Sequence, residues 1–238
     1  MTPAKLFRRR EIWLPTIWGW LALLLVGAAA IVLVARSLYP LLAPQDLVRG
    51  RLLVVEGWMN PEGLDQAFAT FRAGGYEHVV TTGGRIGWPK PDAHATFAEL
   101  AADYLRRRGL REVPVTAIPT PDSAQDRTFL SAVMVREWAR QTGLTVDALD
   151  VVSLGTHARR SHLLYRLAFG PNVAVGVLAA RSSEYNADAW WRSSSGTRDV
   201  IDQAIALLWV KIFFWPPPAG THEERWAVPP KRAARSGA

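Results

Sequence analysis

The chain has 238 residues, no cysteine and a formal net charge of +7. The missing cysteine excludes disulfides, thiolate zinc sites and a cysteine nucleophile, and the length allows one large domain with accessory segments. The charge is not a nucleic-acid signature, because most of the excess sits in Lys5, Arg8, Arg9 and Arg10 at one end and Arg225, Lys231, Arg232 and Arg235 at the other; with the body nearly neutral, no nucleic-acid partner is expected.

Residues 1–11 read as a basic cytoplasmic tail. Residues 12–35 carry no charge and would form a helix about 36 Å long, enough to cross a hydrocarbon core of about 30 Å. Trp13, Trp18 and Trp20 suit an interfacial belt near its start. Pro15 falls in its first turn, where a missing N–H costs little. The cations before the span, against Arg36 alone just after it, predict a single-pass inner (plasma) membrane protein with a cytoplasmic N-terminus and an extracytoplasmic, periplasmic body. A cleaved signal peptide would have a shorter apolar region, about 7–15 residues, so an uncleaved anchor is expected. Residues 36–50, with Pro40 and Pro44, read as a linker.

From residue 51 to 215 short apolar runs alternate with helical patterns. Strands are predicted over 52–55, 78–81, 115–118, 149–154 and 173–178. Helices are predicted over 62–73, 92–108, 125–141 and 157–169, the first, second and third stopped by Gly74-Gly75, Gly109 and Gly143. This alternation implies βαβ units and a parallel sheet covered on both faces. The expected fold class is therefore α/β, a doubly wound Rossmann-like parallel sheet with one N-terminal transmembrane helix. Ser193-Ser194-Ser195 offer caps for a last helix over 197–214, which either covers the sheet or lies at the bilayer interface. Residues 216–238 open with three prolines and read as a disordered basic tail.

Common fingerprints are missing: there is no G-x-G-x-x-G, no G-x-x-x-x-G-K-[ST], no H-E-x-x-H and no G-x-S-x-G. His157 and His162 are five apart and do not share a helical face, so no metal site is expected, and no particular cofactor is specified. What remains are small and polar residues at predicted strand ends. Gly83-Gly84 allow close backbone approach and expose N–H groups. Asp126-Arg127-Thr128 open the third helix, and Thr156, His157, Arg160 and Ser161 open the fourth. If the strands before these groups lie near one another, the groups form one pocket suited to a phosphate or carboxylate, with His157 as acid or base. Each residue has a structural alternative. Gly83-Gly84 can be a turn, Thr128 or His157 a cap, and Arg159, Arg160 and Arg166 a solvated face. Glu56 can pair with an arginine, and Trp190-Trp191-Arg192 can form a core plug.

Thr82-Gly83-Gly84 after the second strand, Thr128 before the third helix and His157-Ala158-Arg159-Arg160-Ser161 after a strand resemble the pattern of the ElyC/SanA/YdcF family over residues 52–178. The resemblance adds Glu99, on the second helix, to the candidate ligand-binding set. It implies a Rossmann-like fold and, for anchored members, a role in envelope integrity, with peptidoglycan or lipid-carrier intermediates as ligands and envelope proteins as partners. The chain carries Val55-Glu56-Gly57-Trp58 where the family has L-G-G, and Arg127-Thr128-Phe129-Leu130-Ser131 where it has N-T-x-E-N, which places it in a divergent branch. Two other readings stay open: a non-catalytic scaffold of envelope machinery, and a Rossmann-like nucleotide or methyl-donor binder.

Overall fold

The computed structural model describes residues 13–87, 94–111, 113–121 and 127–225. The predicted N-terminal basic tail, the starts of the second and third predicted helices (including Asp126) and residues 226–238 of the C-terminal tail lie outside the described residues.

The chain divides into two compact units, the first ending at Ser37 and the second beginning at Leu38. The first is helical: α1 runs Ile17–Leu42, so the division falls within it. By length and composition α1 is able to cross a membrane, and it is the one such helix among the described residues. Its bounds differ from expectation at both ends. Pro15 precedes the helix instead of sitting in its first turn, and the helix continues through Pro40 into the predicted linker. Proline removes a single backbone donor. The last turn is held regardless, because Leu42 is only 1% exposed and Ala43 N–H bonds Tyr39 O at 2.9 Å.

The second unit contains a six-stranded sheet in the order β1-β6-β5-β2-β3-β4. Its strands are β1 (Gln45–Asp46), β2 (Leu52–Glu56), β3 (His78–Gly83), β4 (Val115–Pro119), β5 (Ala148–Leu154) and β6 (Ala174–Ala180). Only β1 is antiparallel. The central strand β2 is buried at every position, because it has helices on both faces. Leu52 and Val54 pack with Phe129, Val133, Leu164 and Tyr165 from α4 (Arg127–Gln141) and α5 (Ala158–Phe169). Leu53 and Val55 pack with Leu64, Ala67, Ala101 and Leu105 from α2 (Pro61–Ala73) and α3 (Phe97–Arg107). This is the expected doubly wound arrangement. Its winding reverses between β2 and β5, where sheets of this kind open a crevice at their carboxyl ends.

Two predicted irregular segments are structured. In the predicted linker, β1 pairs with β6. The residues after it are held by Asp150 within β5, whose carboxylate accepts from Val48 N–H at 2.8 Å, Gly50 N–H at 3.2 Å and the Tyr76 hydroxyl at 2.9 Å. In the predicted tail, Glu224 is 4% exposed and accepts two bonds from the Arg136 guanidinium of α4, at 2.8 and 2.5 Å. A paired charge of this kind orders a polar segment that composition alone reads as loose.

The last helix, α6, spans Ser194–Phe213 and is capped by Ser193, whose Oγ accepts from Gly196 N–H at 3.1 Å. Val210 joins the core on the α4/α5 face, while Ile205, Leu208 and Ile212 stay exposed on the opposite side. Trp190 is buried as a plug, but its neighbour Trp191 is 41% exposed.

Candidate functional site

The carboxyl ends of β2, β3 and β5 border one cleft of about 720 Å³. Register places them level: Glu56 pairs with Thr82, and Val55 pairs with Val152, so Ser153 follows beside Glu56. β2 therefore stands between the two strands whose proximity the sequence reading required. Gly83, Gly84, Thr128, His157 and Arg160 nevertheless line the same cleft, with Glu56 at its centre. The cleft can be wide because it spans three strand ends.

Each wall has a local cause. Gly83 ends β3 at φ +151°, and an added Cβ would stand 2.7 Å from Phe97 Cβ, so α3 packs against bare backbone there. Gly84 O in turn accepts from Phe97 N–H at 2.9 Å. Arg127 and Thr128 begin α4. After β5 the chain turns through Gly155 at φ +48° and a short 3-10 segment, Gly155–His157, then enters α5.

Glu56 is the buried centre, 2% exposed. Ser153 Oγ donates to its Oε2 at 2.5 Å and Ser161 Oγ to its Oε1 at 2.8 Å. The ring of His157 lies against the same groups. Its Nδ1 is 2.8 Å from Ser161 Oγ, 3.1 Å from Ser153 Oγ and 3.3 Å from Glu56 Oε2. Trp58 contacts the ring edge to face at a centroid distance of 4.9 Å. Burial pushes the Glu56 carboxyl up, but the charge of His157 and the hydrogen bonds from His157, Ser153 and Ser161 outweigh it and hold the group below its ordinary value. Glu56 therefore pairs with a histidine and two serines, where the sequence alternative was an arginine.

The cleft carries both signs of charge. Arg85, Arg127 and Arg160 line it, as do Glu184 and Asp199. Asp199 is engaged on its own side, where its Oδ2 accepts from Thr156 Oγ1 at 2.8 Å and from the Tyr185 hydroxyl. Burial and Asp199 push the Tyr185 phenol up, so it stays a donor. Gln203 receives Arg160 Nε at 3.2 Å.

Three predicted site residues do not line the cleft. Thr156 is fully buried against Asp199, and Ser161 lies beneath His157. Glu99 closes a capping box on α3: its carboxylate accepts from Thr96 N–H at 3.0 Å and Thr96 Oγ1 accepts from Glu99 N–H at 3.2 Å. Sequence reasoning missed Ser153, Arg85, Tyr185 and Asp199. Ser153 left a signal, since it is a hydroxyl interrupting the apolar end of a buried strand. The others come from separate loops and α6. Among the described residues no group of three or more His, Asp or Glu side chains is placed to hold a metal ion.

No known family, curated protein or solved structure matches this chain.

Proposed function

We propose that this is a membrane-anchored protein of cell-envelope biogenesis whose extracytoplasmic α/β domain binds a phosphorylated or anionic small molecule in the cleft between β2 and β5. The observation that carries the reading is the convergence of Gly83, Gly84, Thr128, His157 and Arg160 on one crevice at the reversal of the sheet, joined there by Arg85 and Arg127. Guanidinium forks and a hydroxyl form a donor set for a multiply charged oxyanion. His157 stands beside it as acid or base.

The membrane part of the proposal draws on α1 and on the cations before it, which favour a cytoplasmic N-terminus. The envelope role draws on the resemblance of Thr82-Gly83-Gly84 and His157-Ala158-Arg159-Arg160-Ser161 to the ElyC/SanA/YdcF pattern, with a peptidoglycan or lipid-carrier intermediate as the ligand.

The test is binding of phosphorylated envelope intermediates to the full chain, together with envelope complementation. Arg160→Ala and His157→Ala are expected to lose both while remaining folded. Wild-type behaviour in both variants would overturn the site. Reporter fusions after Trp215 are expected to be active only outside the cytoplasm, and a cytoplasmic signal would overturn the topology.

A further inference from the structure

His157 has one nitrogen turned into the protein and lines the cleft with the rest of its ring. The proton on that inner nitrogen is determined by a count of donors. Each serine hydroxyl has one proton. Both Ser153 and Ser161 direct theirs to Glu56, one to each carboxylate oxygen. Toward His157 Nδ1, 3.1 and 2.8 Å away, the two hydroxyls then offer only lone pairs. Nδ1 must be the donor.

The reverse assignment, with Nδ1 bare, would take a hydroxyl proton away from Glu56. That would leave a carboxylate oxygen short of a donor in a side chain 2% exposed, a costly arrangement for a buried charge. In the uncharged form of His157 the proton therefore sits on Nδ1 and Nε2 keeps a lone pair. Among the described residues no hydrogen bond reaches Nε2, and the ring borders the cleft. Nε2 thus adds an uncharged acceptor to a cleft that also holds the Glu184 and Asp199 carboxylates.

We infer that this cleft selects an oxyanion accompanied by an O–H group, such as hydrogen phosphate or a phosphate ester with a neighbouring hydroxyl. The O–H donates to His157 Nε2 while the bare oxygens take the donors, and Glu56, Ser153 and Ser161 act as positioning residues that hold the tautomer. Sulfate, of the same shape and charge as hydrogen phosphate but without a proton, leaves Nε2 facing an oxygen lone pair. A site built around one hydrogen-bonding partner rejects an analogue that lacks it. The inference rests on the proposed anion site and adds the chemistry that tells one anion from another.

The experiment uses the full chain in detergent, with histidine 15N-labelled. The uncharged form of His157, reached by raising the pH, is expected to show a pyrrole-like Nδ1 and a pyridine-like Nε2. Inorganic phosphate is expected to bind about tenfold or more tighter than sulfate, and glycerol 3-phosphate similarly tighter than propyl phosphate. Tight phosphate with weak glycerol 3-phosphate identifies the free ion as the source, and the opposite result identifies the hydroxylated ester. Glu56→Gln and Ser161→Ala are expected to narrow the phosphate-to-sulfate ratio and mix the tautomers, which a merely structural role would not do. A proton on Nε2 in the uncharged wild-type ring, or no preference within either pair of anions, overturns the inference while leaving an anion site. Binding of none of the four anions removes the proposed function itself. The wild-type spectrum decides the matter even if a variant fails to fold.

Discussion

Glu56 and His162 are both held in the folded chain below their ordinary pKa values, and they give the protein two acid-sensitive steps. His162 is lowered by burial, with Arg166 and Arg159 adding to the shift and its bond to Val175 O opposing it. A group with a depressed folded pKa binds protons more readily when unfolded, so its contribution is complete above the unfolded value and is lost as pH falls. For His162 the loss begins below about pH 6.5, and for Glu56 below about pH 4.3. Denaturant midpoints across this range are expected to fall in two stages, and His162→Gln is expected to remove only the upper one. At Gly83 the constraint is steric. Gly83→Ala places a methyl 2.7 Å from Phe97 Cβ on a backbone with φ +151°. A loss of about 2–3 kcal/mol is expected, together with weaker anion binding as α3 is pushed away from the cleft.

At the scale of elements, the main departures from the sequence pattern concern polar segments that tertiary bonds make regular. The 3-10 turn His222–Arg225 has little apolar content, yet Glu224 is buried against α4 by the Arg136 guanidinium, which also donates to Ala168 O at 2.6 Å. Removing either partner strands the other charge in a half-dry setting. Glu224→Ala is expected to cost about 3 kcal/mol of stability, and truncation after Trp215 is expected to cost at least as much; urea denaturation of each variant against the full chain checks both. Helix α1 shows the converse. Pro40 and Pro44 read as a linker, but Arg159 Nε donates to Leu41 O at 2.7 Å, satisfying one of the carbonyls that a helix end leaves open. Arg159 is therefore bonded, where a solvated helical face was one sequence alternative. Helix α6 is explained by neither sequence alternative alone: its Val210 side enters the core, while Ile205, Leu208 and Ile212 remain exposed.

At the scale of the molecule, Asp150 ties the chain's entry into the domain to the middle of the sheet. Its carboxylate satisfies two backbone N–H groups and the Tyr76 hydroxyl from a strand position with no exposure. Asp150→Ala leaves two buried donors and one partly buried donor without their acceptor, so a loss of about 3 kcal/mol is expected. Faster hydrogen exchange at the Val48 and Gly50 amides is expected with it, distinguishing local release of this segment from general unfolding.

The residues by themselves determined the apolar helix, the alternation of strands and helices, the strand-end position of Gly83 and the placing of Thr128, His157 and Arg160 where helices begin. These follow from local physics: a run of uncharged residues, β-branched stretches buried on both faces, and glycines or hydroxyls where an element begins or stops. Only the tertiary structure decided that β2 lies between β3 and β5, and with it that Glu56 sits at the centre of the cleft. It alone decided that Ser153 and Ser161 share that carboxylate with His157 and that Glu99 is used within a capping box. Strand order and the sharing of protons among four side chains up to 105 residues apart depend on contacts between distant segments, and the periodicity of a single chain carries no record of which distant segments meet.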